Sequence, residues 1–175
     1  MRRVVVGQGS GDKSAIVQDA EPSAELVKLA FRDGELGGMT SSSLSKLPDP
    51  TSLETGSFAI GQLWLMDDAA EVSKPSAGDL ECGTTFAEWA ATRQPGSVSW
   101  IAVVFGPNTK TEMHATATVD MILITEGEFE LVTESATTTL KKGDCCVVPG
   151  LLHAWRSGPK GAAMICAATG TNPDR

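Results

Sequence analysis

The chain has 175 residues, with 22 acidic against 14 basic side chains and a formal net charge of −8 at pH 7. Hydrophobic residues make up 41% of it, which suffices for one buried core, so residues 1–175 are expected to form a single domain without disulfide or metal staples. Nucleic acid and anionic membrane surfaces demand clustered Lys and Arg, whereas the basic residues here occur in runs of two at most, and both partner classes are set aside.

Three valines behind Arg2 and Arg3 are too short a core for a signal peptide. No apolar run approaches the roughly 18 residues that span a bilayer, which leaves a cytoplasmic location as the expectation. "RRVVV" and "SAIVQD" read as two short strands joined by the glycine-rich turn "GQGSGDKS". That turn is no phosphate loop, because Asp12 stands where a lysine should follow the last glycine. Residues 21–38 are the best helical candidate, with Glu21, Pro22 or Ser23 to start it and Gly34 to end it, though Leu26, Val27, Leu29, Ala30 and Phe31 fit a strand equally well. Residues 39–56, rich in Ser, Thr and Pro, read as a surface loop.

From Ser57 onward the pattern turns to β. Segment 57–67 alternates loosely. An acidic loop at 67–81 and a possible helical turn at 84–93 separate it from "SVSWIAVVFGPN". Then come "EMHATATVDMILITEG", "EFELVTES", "TTTLKKGD", "CCVVPG", "LLHAWRSG" and "AAMICAATG", each closed by a turn residue. Six or more short strands at roughly ten-residue spacing predict an all-β, antiparallel sandwich or jelly roll with one or two short helices.

Both histidines of the chain, His114 and His153, fall in this half. His114, Thr116 and Asp120 are an even number of residues apart and share a strand face, as do His153, Trp155 and Ser157. If the two segments pack face to face, His114, Asp120 and His153 converge, and two imidazoles with one carboxylate suit a divalent ion with open positions. Asp120 has the alternative of bonding Thr116, Thr118 or a backbone N–H. Cys82, Cys145, Cys146 and Cys166 show no chelating spacing and read as reduced thiols.

These segments resemble the two motifs of the cupin superfamily. In the first, G(x)5HxH(x)3–4E(x)6G, His114 matches the first histidine, Thr116 stands at the second, Asp120 at the glutamate and Gly127 at the closing glycine. The second, G(x)5PxG(x)2H(x)3N, is matched by Gly143, Pro149 and His153, with a corner one residue tighter and Ser157 in place of asparagine. The chain further resembles small single-domain bacterial cupins whose strand reads "HRTxTxDY" and whose second motif reads "GDVVVQRGTNHAWRN". The resemblance implies a jelly-roll barrel over about 57–168, preceded by N-terminal strands and an insertion at about 25–55. It implies a homodimer too, in which the strand "RRVVV" adds to a neighbour's edge.

Two functions follow as expectations. In the first, Fe, Mn, Ni or Zn held by His114, His153 and Asp120 polarises a small organic acid or diol for oxygenase, decarboxylase or isomerase chemistry. In the second, no metal binds, and the two histidines act as hydrogen-bonding or acid–base groups in a pocket lined by Thr116, Trp155, Ile122 and a cysteine. Thr116, a poor ligand at a position where the family supplies histidine, favours the second.

Overall fold

The computed structural model describes residues 1–22, 24–32, 35–66 and 95–172. Its strands are β1 (Arg3–Gln8), β2 (Ser14–Ala20), β3 (Ala24–Arg32), β4 (Glu35–Leu44), β5 (Phe58–Met66), β6 (Val98–Phe105), β7 (Thr118–Thr133), β8 (Thr137–Lys141), β9 (Cys145–Pro149) and β10 (His153–Gly170). Helical geometry among the described residues is confined to two 3-10 turns, Ser10–Asp12 and Pro50–Ser52. Every strand pairing is antiparallel.

β1 and β2 form a hairpin of their own. The other eight strands run in the order β4-β3-β5-β6-β10-β7-β8, with β9 also on β7. The first part of β7 pairs with β9, from Val119↔Pro149 to Leu123↔Cys145, and its last part pairs with β8, from Glu128↔Lys141 to Val132↔Thr137. One long strand therefore serves two neighbours on the same edge, and the sheet must bend between them. The bend falls at Gly127, where φ is +67°, opposite Ala162 of β10 and beside Gly161, where φ is +72°. Left-handed backbone is cheap only for glycine, and a Cβ on Gly127 would stand 2.5 Å from the Gly161 carbonyl oxygen. The result is an all-β barrel of jelly-roll type. Its core gathers Val27, Phe58, Phe105, Ile124, Phe129, Trp155 and Met164, among others, from β3, β5, β6, β7 and β10.

Three expectations are corrected. Residues 24–32 form strand β3, not a helix, because Glu25, Leu26 and Val27 pair with Ile60, Ala59 and Phe58 and bury Val27 completely. Apolar spacing in that segment suits either state, and the sheet decides. The polar segment expected as a loop from residue 39 continues strand β4 as far as Leu44, since β3 supplies its ladder partners. Gly127 does not close its strand as a turn residue but is the bend inside β7. The acidic loop at 67–81, the helical turn at 84–93 and Cys82 lie outside the described residues.

Candidate functional site

A backbone ladder brings the two histidines together. Residues 108–114 follow the edge of β10, with hydrogen bonds from Asn108 N to Gly158 O (3.0 Å), Ser157 N to Thr109 O (2.8 Å) and Thr111 N to Trp155 O (2.9 Å). The ladder ends in an antiparallel bridge in which His114 N donates to His153 O (2.8 Å) and His153 N to His114 O (2.9 Å). Ser157 anchors its start. The buried Oγ donates to Gly106 O at 2.7 Å and accepts from Thr109 N at 3.0 Å.

Directly bridged residues carry their side chains close together on one side. The imidazole centroids are 4.5 Å apart with an interplanar angle of 46°. Each ring is pinned by a backbone carbonyl two residues earlier, His114 Nδ1 on Glu112 O (2.9 Å) and His153 Nδ1 on Leu151 O (2.8 Å). A carbonyl oxygen only accepts, so Nδ1 is the donor in both rings. His153 is 3% exposed and meets the edge of Trp155 at 6.0 Å. Trp155 in turn stands edge-on to the fully buried Phe129 at 5.7 Å. The ring positions thus depend on core packing as well as on the ladder. The sequence does not disclose the two carbonyl anchors, because they are main-chain atoms. Ser157 is visible in it only as a motif position.

Asp120 is placed elsewhere. In the register of β7 and β10 it pairs with Ala168, whereas His153 pairs with Thr133, at the opposite end of both strands. Its Oδ1 accepts a 2.6 Å bond from Thr118 Oγ1. With that proton engaged, the 2.8 Å contact between Thr116 and Thr118 has Thr116 as donor. The two threonines thus form a directed chain that ends on the carboxylate. Among the described residues no three His, Cys, Asp or Glu side chains are grouped to hold a metal ion. Two imidazoles alone supply fewer protein ligands than divalent transition-metal centres ordinarily have. Ile122 and Trp155 are core residues, and Thr116 is half-buried. Cys146, half-buried on the inner side of β9, has its thiol pKa pushed up by burial first, then by Cys145 and Asp120. A surface cleft of about 350 Å³ lies against the same ladder, lined by Lys110, Glu130, Arg156 and others, but neither histidine lines it.

No protein-family model matches the chain. No curated protein matches it either. Solved structures do. An RmlC-like cupin from Shewanella frigidimarina aligns at 14% identity with a TM-score of 0.45, over 67% of this chain and 79% of that one. KdgF from Halomonas sp. gives 13% identity and 0.45, over 67% and 82%. A sugar phosphate isomerase of the cupin superfamily from Silicibacter pomeroyi gives 20% and 0.38, over 42% and 51%. At these identities and scores the likeness is partial and concerns the fold alone.

Proposed function

We propose that this cupin-like barrel binds a small organic acid or diol at the His114–His153 pair and moves a proton there. The observation that supports it is the pair itself: two rings 4.5 Å apart, both with Nδ1 tied to a main-chain carbonyl. With its Nδ1 occupied, His153 offers Nε2 to the hydroxyl or acid proton of a ligand, beside the His114 ring 4.5 Å away. An imidazole whose Nδ1 donates can accept a proton only at Nε2. The rigid anchors keep each ring from rotating away, which lowers the entropy cost of ligand binding.

A second reading, a divalent ion on the same two Nε2 atoms, is favoured by one feature. Histidines that bind metal commonly give their other ring N–H to a carbonyl, as both do here. In that reading the ion supplies Lewis-acid polarisation of the ligand. His114 and His153 hold it, and the remaining positions fall to water or ligand.

Long-range proton–nitrogen NMR of the histidine rings tests the assignment, together with elemental analysis of the purified protein. Both Nε2 nitrogens are expected at the shift of an unprotonated acceptor, and a responsive acid or diol should move them together. Metal at near one equivalent, lost in His114→Ala, would select the second reading. Rings in different tautomers, or ligand responses confined to one ring, would remove both.

A further inference from the structure

The barrel interior holds a second group of polar side chains, away from the histidine pair in the strand register. Two buried polar atoms among the described residues have no hydrogen-bond partner, Gln62 Nε2 and Ser99 Oγ. Gln62 has the parity of the core residues Phe58 and Ile60 on β5, and Ser99 that of Ile101 and Val103 on β6. Both therefore face inward. Gln62 pairs with Ile101, two residues along from Ser99, so the two groups are diagonal neighbours on adjacent strands. Across the sheet, Ser99 pairs with Ala168 and Ala168 with Asp120. Asp120 has the parity of Ile122 and Ile124, which places its carboxylate on the same inner face. One inner row thus reads Ser99, Ala168, Asp120, with only a methyl group between a hydroxyl and a carboxylate.

A buried amide or hydroxyl without a partner has lost its hydration and gained nothing in exchange. Two of them on one face, opposite an acceptor, mark a place that a ligand completes. The chemistry narrows the ligand. The Gln62 amide N–H needs an acceptor, which excludes an ammonium group at that end. Asp120 Oδ1 already accepts from Thr118, so its second oxygen can take a further donor, and the carboxylate repels another carboxylate. A hydroxyl group both donates and accepts. Ser99 and Asp120 lie two strand spacings apart, about 9.6 Å between Cα atoms. Both side chains project from the sheet side by side, so that span is bridged by a chain of about four carbons with a terminal hydroxyl hydrogen-bonded at each end.

From this we infer that Gln62, Ser99 and Asp120 form a subsite for a small uncharged polyol, with hydroxyls at one end received by Gln62 and Ser99 and at the other by Asp120. The subsite stands on different atoms from the histidine pair, and its test is read on different resonances.

Erythritol is the probe, titrated into the nitrogen-labelled full chain while the Gln62 side-chain amide is followed by NMR. The expected result is a saturable shift of that amide, weakened at least tenfold in Ser99→Ala and in Asp120→Asn, with no response to propionate. An amide that does not move with millimolar erythritol overturns the subsite. So does a response that survives unchanged in Ser99→Ala, or a bound water on Gln62 that erythritol fails to displace. Should Ser99→Ala not fold, the wild-type titration against propionate decides alone. The histidine Nε2 signals should keep their tautomer in all of these variants, so failure here leaves the reading of the histidine pair standing.

Discussion

At the scale of single residues, the bend at Gly127 is an exacting requirement. Its φ of +67° penalises any L side chain, and the ideal Cβ position lies 2.5 Å from Gly161 O and 3.0 Å from Ala162 Cα. Neither neighbour is the tip of a flexible side chain, so the backbone itself has to move. Gly127→Ala is expected to lose about 2–4 kcal/mol of stability, the sum of left-handed strain and displaced main chain. Urea unfolding of the variant beside wild type measures it. Gly143 also has positive φ, but a Cβ there meets nothing within 4 Å. Gly143→Ala should therefore cost only the conformational part, about 1 kcal/mol. A pair of variants with equal losses would show that close approach at Gly127 contributes nothing.

Between single residues and the barrel stand the elements, and here the ladder from Asn108 to His114 matters most. Ser157 Oγ closes its first turn by bonding both Gly106 O and Thr109 N. Ser157→Ala leaves the buried Thr109 N–H without that acceptor, a loss of about 1–3 kcal/mol. The damage should be local. Amide hydrogen exchange is expected to accelerate at Thr109, Thr111 and His114 while the β6–β10 ladder stays protected, and uniform acceleration would contradict the assignment. What the sequence discloses follows the same division. The two histidines sit on motif positions, and backbone pairing of the segments that carry them is enough to join the rings. Asp120 also sits on a motif position, yet β7 is 16 residues long and bent, and its register sends Asp120 to the far end. Residue spacing says which side chains share a face but not where a long strand curls. Likewise β4, with Gly, Ser and Thr in place of an apolar alternation, becomes a strand only because β3 offers it a partner. Loose apolar alternation discloses β5 and a β-branched run between turn residues discloses β6, because there the local preference and the sheet agree.

For the whole molecule, stability and the candidate site converge on Phe129. It is fully buried, packed edge-on against Phe105 at 5.2 Å and Trp155 at 5.7 Å, and Trp155 is what His153 leans on. Truncation to alanine removes a ring from the middle of the barrel and should cost about 3–5 kcal/mol. Against a typical total of about 5–15 kcal/mol, that loss threatens folding altogether. Phe129→Leu is the more informative change. It keeps most of the volume, is expected to lose about 1–2 kcal/mol, and leaves the backbone ladder to hold His114 and His153 in register. If the ladder alone sets the histidine geometry, the ring nitrogens of Phe129→Leu will keep the wild-type tautomers and only the thermal midpoint will fall. If core packing through Trp155 sets it as well, the His153 ring signals will broaden or shift while those of His114 stay in place. The second outcome is expected. His153 is buried against Trp155, whereas His114 is half-exposed, and its Nδ1 is tied to Glu112 O at 2.9 Å. A shift of both rings to the same extent would mean that the bridge, rather than the aromatic stack, transmits the change.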